Sequence, residues 1–74
     1  MFALPETVKV RDVIALLHQH GWAQVGQVGS HRQFKHPVRR GRVTLSGQDG
    51  DDLPTGTLRS IYRQAGLDWQ GRPQ

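Results

Sequence analysis

A histidine directly behind a Gly-Ser pair is the most chemically suggestive feature of this 74-residue chain: His31, in Gly29-Ser30-His31-Arg32-Gln33-Phe34. Histidine is the side chain whose unperturbed pKa, about 6.5, lets it take or give a proton near neutral pH. If the partner is RNA, such a group can remove the proton of a ribose 2′-hydroxyl. The freed oxygen then attacks the adjacent phosphorus while neighbouring cations stabilise the growing charge, and the step needs no metal. The residues alone leave a second reading open, in which His31 is a hydrogen-bonded surface residue beside a turn.

Other chemistries find less support. There is no cysteine, which removes disulfide scaffolds, Cys-based zinc ribbons and thiol nucleophiles. Of the four histidines, His18 and His20 are two apart on an expected helix and so point in different directions, unlike an i, i+4 zinc pair. No P-loop spacing is present and no catalytic Ser or Thr stands out. No metal and no cofactor is expected. His36 precedes Pro37 and reads most simply as a turn residue, and Trp22 reads as core.

Charge narrows the partner. Ten Lys and Arg against six Asp and Glu leave a net +4, and eight of the ten bases are arginine, the side chain suited to forked phosphate contacts. No carboxylate occurs between residues 13 and 48, whereas Arg32, Lys35, Arg39, Arg40 and Arg42 fall within eleven residues. A polyanion is the first expectation, and a solvated basic face is the alternative. Asp49, Asp51 and Asp52 then follow, either at the edge of the basic region or near the positive N-terminus of the next helix.

The elements that must hold these residues are legible in outline. Val10, Val13, Ile14 and Leu17 predict an amphipathic helix over residues 9–20, ended by Gly21. Residues 22–28 and 31–36 lose that period and flank Gly29-Ser30, which predicts two antiparallel strands joined by a tight turn. Residues 42–45 predict a third strand. Leu58, Ile61, Tyr62 and Ala65, between Pro54 and Gly66, predict a second helix. The order is α-β-β-β-α, an α+β two-layer sandwich with two helices on one face of a three-stranded antiparallel sheet. Strand alternation sets His31, Gln33 and Lys35 on one face and Arg32, Phe34 and His36 on the other, with Phe34 in the core.

The length fits one domain, residues 1–74, with its core in 9–68 and flexible ends at 1–7 and 69–74. The longest apolar run, residues 13–17, is far below the roughly 20 residues of a membrane span, so a soluble, cytoplasmic protein is expected, with no membrane partner. A chain this small buries only about 60% of its unfolded surface, so a protein partner that covers more is expected too.

The segment Gly29-Ser30-His31-Arg32-Gln33-Phe34-Lys35-His36-Pro37 resembles the HicA toxin family of bacterial type II toxin–antitoxin systems. The resemblance extends to Lys9-Val10-Arg11-Asp12-Val13-Ile14, Gly21-Trp22, Gly41-Arg42-Val43-Thr44, Pro54-Thr55-Gly56-Thr57-Leu58-Arg59-Ser60-Ile61 and Gln64-Ala65-Gly66-Leu67. It covers roughly residues 9–68. It implies a fold like a double-stranded-RNA-binding domain, metal-independent cleavage of mRNA, and neutralisation by a HicB antitoxin that covers the active histidine. Only His31 carries over as catalytic, with Ser30, Arg32, Lys35, Arg39, Arg40 and Arg42 as the expected RNA contacts. Many relatives have a second histidine soon after the third strand, where this chain reads Ser46-Gly47-Gln48, so the proton for the leaving oxygen comes from solvent or another side chain. Residues 1–7 precede the point where relatives commonly begin, and removing them is expected to leave activity intact. Two other functions fit the same charge: a non-catalytic RNA-binding module, and a structural domain whose basic face docks an acidic protein.

Overall fold

In the computed structural model, which describes residues 8–68, the chain runs β1 (Val8–Lys9), α1 (Val10–Gln19), β2 (Ala23–Val28), β3 (His31–Lys35), β4 (Val43–Ser46), β5 (Asp52–Leu53) and α2 (Thr55–Gln64). Strands β2, β3 and β4 form an antiparallel meander in that order. The expected α-β-β-β-α order is present with one addition. β1 and β5 pair antiparallel, Val8 opposite Leu53 and Lys9 opposite Asp52, and this short ladder ties the entry of α1 to the entry of α2. Two-residue strands are too short to carry a period-2 pattern, so nothing in the local sequence announces them. The expected flexible ends lie outside the described residues.

One core joins both helices to the inner face of the meander. Val10, Val13 and Leu17 of α1, Ile61 of α2 and Ala65 beyond it close over Phe34, Val43 and Leu45, and the same buried cluster takes in Trp22, Leu53 and Leu67. Ile14, Leu58 and Tyr62, also on the predicted stripes, are half-buried against it. Phe34 is fully buried, as alternation along β3 requires.

The helix ends show how the connections are held. Asp12 accepts from the Lys9 backbone N–H at 3.3 Å, while the N–H groups of Val10 and Arg11 donate to the carbonyls of Asp51 (2.9 Å) and Asp49 (3.1 Å). Three otherwise orphaned donors are thereby satisfied. The acidic loop therefore serves the first helix, not the one that follows it: it wraps back onto the N-terminus of α1, where its carbonyl dipoles and charges suit the positive end of the macrodipole. At the other end of α1, Trp22 N–H reaches Leu17 O (3.0 Å) and Gly21 N–H reaches His18 O (3.1 Å). With Gly21 at φ +90° this is a Schellman closure, which a residue with a Cβ enters only under strain.

Candidate active site

His31 owes its place to the turn before it. Val28 and His31 are directly paired, leaving Gly29-Ser30 as a two-residue connection. Gly29 has φ +58° and Ser30 does not have positive φ, the pattern of a type II′ turn, which matches the twist of the flanking strands. The Ser30 carbonyl accepts from the Gly47 N–H at 3.2 Å, fastening the turn to the end of β4. His31 is thus fixed at the mouth of the central strand, with Val28 on one side and Ser46 on the other.

The imidazole is exposed on the face of the sheet that the helices leave open. No described residue hydrogen-bonds its ring. Along β3 the same face carries Gln33 and Lys35, and β4 contributes Ser46 opposite His31 and Thr44 opposite Gln33. Arg42, just before β4, joins them: its Nη1 donates to Gln33 Oε1 at 2.5 Å. No carboxylate belongs to any of the three strands.

The six other candidate residues separate into three groups. Ser30 flanks His31 in the turn, and Lys35 and Arg42 stand on its face. Arg32 alternates to the core side, opposite Leu45, and its Nη1 meets Asp49 Oδ1 at 2.7 Å with only 18% of the side chain exposed. Arg39 and Arg40, eight and nine residues beyond His31, lie in the 36–42 connection past the end of β3 that carries Lys35 and Arg42. There the Arg39 guanidinium lies over Gly66, where a Cβ would collide with it. The expected basic window is therefore divided between two faces and two ends of the sheet. Alternation along β3 places Gln33 on the His31 face, outside the expected site residues. Its significance comes from the bond to Arg42, nine residues away, which no local pattern announces.

His36 has the opposite surroundings. Its Nδ1 accepts from the backbone N–H groups of Val38 (3.0 Å) and Arg39 (3.1 Å), so the ring proton sits on Nε2, which donates to the His20 carbonyl at 2.9 Å. Its ring stands edge-on to Trp22 with centroids 5.3 Å apart. His36 is the bolt that holds the arginine-bearing connection against the end of α1. It also borders a groove of about 540 Å³ lined by His20, His36, Val38, Arg39, Ala65 and Leu67. That groove is at the far end of β3 from His31.

Among the described residues no group of three or more His, Cys, Asp or Glu side chains is arranged to hold a metal ion, and no helix is long and apolar enough to cross a membrane. No curated protein matches the chain closely enough to count as a relative. The family model described as the HicA toxin of bacterial toxin–antitoxin systems matches residues 10–67. Because that stretch takes in both helices, all three strands of the meander and the turn that holds His31, and makes up well over half of the chain, this protein belongs to the HicA toxin family.

Proposed function

We propose that this toxin is a metal-independent endoribonuclease in which His31 is the general base. The neutral imidazole takes the proton of a ribose 2′-hydroxyl, and the 2′-oxygen attacks the adjacent phosphorus. The bond from phosphorus to the 5′-oxygen of the next nucleotide breaks, leaving a 2′,3′-cyclic phosphate on one fragment and a 5′-hydroxyl on the other. Ser46, opposite His31, carries a hydroxyl too weakly acidic to replace an imidazolium, so solvent supplies the proton for the departing oxygen. Lys35 and Arg42, farther along the same face, draw the RNA backbone onto the sheet.

The observation that carries this reading is the exposed imidazole, bonded by no described residue, on a carboxylate-free sheet face that also holds Lys35 and Arg42 farther along β3. Ser30 is the proposed RNA contact beside the scissile bond, Lys35 and Arg42 are those farther along the open face, and Arg39 and Arg40 those in the connection beyond it. Arg32 acts at one remove, by holding Asp49 and with it the loop that caps α1. A HicA toxin has a cognate antitoxin. We propose that it is of the HicB type and neutralises the toxin by lying across the open face, since access to His31 is from that side.

The test is incubation of the purified protein with a defined RNA in the presence of chelator, beside the His31→Ala variant, followed by analysis of the cut ends. Cyclic phosphate termini and a rate lowered by about 10²- to 10⁴-fold in the variant are expected. RNA binding without any cleaved product would make the protein a non-catalytic RNA-binding module instead. Undiminished cleavage by His31→Ala would remove the imidazole from the mechanism.

A further inference from the structure

The open face contains a conflict that points to an anion. The register of β3 on β4 sets His31 against Ser46 and Gln33 against Thr44, and continuing it by one more same-face pair sets Lys35 against Arg42. Two cations directly opposite each other on one sheet face repel. No acidic side chain is available on these strands to separate them. Arg42 does not stay opposite Lys35. Its guanidinium leans along the sheet toward His31 and is held by the Gln33 side-chain carbonyl.

A guanidinium has five N–H donors, and the bond to Gln33 engages Nη1 while leaving the remainder of the fork for a ligand. Gln33 is half-buried, which restricts its amide, whereas Arg42 is exposed and would otherwise sample many rotamers. The glutamine thus fixes the direction of the fork before any ligand arrives. A strand rises about 3.3 Å per residue, so Gln33 stands about 7 Å from His31.

We infer that Gln33 is a positioning residue that holds Arg42 as a clamp for the RNA phosphate next to the one being attacked. The inference rests on the RNA-cleaving reading of the same face, but its ligand, a phosphodiester, can be tested without cleavage. Because the clamp grips a phosphate that does not react, it contributes to binding more than to the chemical step. Losing it raises KM and leaves kcat nearly unchanged.

The experiment measures binding of a single-stranded oligoribonucleotide to the full chain in a His31→Ala background across a series of salt concentrations. Gln33→Met, Arg42→Ala and the pair are compared. Methionine keeps the stem and volume of glutamine but removes the carbonyl acceptor, and thermal unfolding confirms that each variant is folded. Arg42→Ala is expected to weaken binding about tenfold and to reduce the slope of log K against log salt by about 0.7, the value of one phosphate contact on a single strand. Gln33→Met should lose a share of both, although it changes no charge, and should have no effect once Arg42 is alanine. A glutamine that acts only in packing would leave the salt slope unchanged. The inference is overturned if Gln33→Met binds like its parent, if it weakens binding equally with and without Arg42, or if no salt-dependent RNA binding is found. If the parent chain with His31 intact binds RNA with this coupling but never cleaves it, the nuclease reading fails and the clamp stands.

Discussion

The two ends of β3 carry the same side chain in opposite states. At one end the His31 ring is exposed and no described group bonds to it. Five residues on, both nitrogens of His36 are engaged, by two N–H groups of its own turn and by the last carbonyl before Gly21. The difference lies in what each neighbourhood leaves unsatisfied. The II′ turn ahead of His31 closes through its own backbone pairing and the bond from Gly47. The wider 36–42 connection and the end of α1 have spare donors and acceptors, and an imidazole is the group that serves them. A histidine whose nitrogens complete the backbone is unavailable for chemistry, whereas one beside a backbone that is already complete leaves its ring open to solvent.

Exchanging the ends tests this most strongly. His31→Ala is expected to slow RNA cleavage by about 10²- to 10⁴-fold and to relieve growth inhibition, without altering unfolding. His36→Ala should cost about 2–3 kcal/mol, because three hydrogen bonds and an aromatic contact go together. In this size range that lowers Tm by about 10 °C or more, while the folded fraction keeps its cleavage rate. Parallel denaturation curves and rate measurements on both variants would break the comparison if the two effects proved interchangeable.

A smaller effect is expected at Gly21. A Cβ there would come within 2.7 Å of His36 Nε2, and the residue already has φ +90°. Gly21→Ala should therefore destabilise by about 1–2 kcal/mol, and combining it with His36→Ala should cost less than the sum, since the collision disappears with the ring. Denaturation of the four chains gives that coupling directly.

The cations sharpen the same contrast in binding. Removing Lys35 and Arg42 together should flatten the salt dependence of RNA binding more than removing Arg39 and Arg40 together, because Lys35 and Arg42 share the open face with His31 whereas the Arg39 guanidinium lies over Gly66. Equal losses would spread the RNA footprint evenly over the open face and the 36–42 connection.

The smallest effect concerns alkaline pH. Burial pushes the Tyr62 phenol above its ordinary value of 10. The folded chain then holds that proton more tightly than the unfolded one, so the contribution is whole below pH 10 and fades as pH rises past it. Tyr62→Phe should flatten the decline in stability above pH 10, measured by denaturation at stepped pH.

Much of the scaffold could be read from local pattern. The i, i+3, i+4, i+7 stripes located both helices to within a residue or so, Gly29-Ser30 located the turn, and alternation sent Phe34 inward and left His31 out. These are properties of neighbours along the chain, and periodicity reports them. The division of the basic window was not legible in the same way. Alternation had already separated Arg32 from His31, but its bond to Asp49 joins residues seventeen apart. The closeness of Arg39 to Gly66 depends on how the turn after His36 meets the end of α2. Likewise, β1 and β5 are strands only because the chain brings them together.

By itself, then, the sequence determined an exposed histidine at a strand mouth in an acid-free, arginine-rich segment of a small α+β domain. Alternation also put Lys35 on the histidine's face and Arg32 on the other; only the tertiary structure decided that Arg42 joins that face through Gln33, that Arg32 meets Asp49 and that the Arg39 guanidinium lies over Gly66. The physical reason is that composition counts charge, whereas a substrate meets only the charge on one face. Register, turn geometry and the competing partners of each guanidinium are set by contacts between segments far apart in the chain.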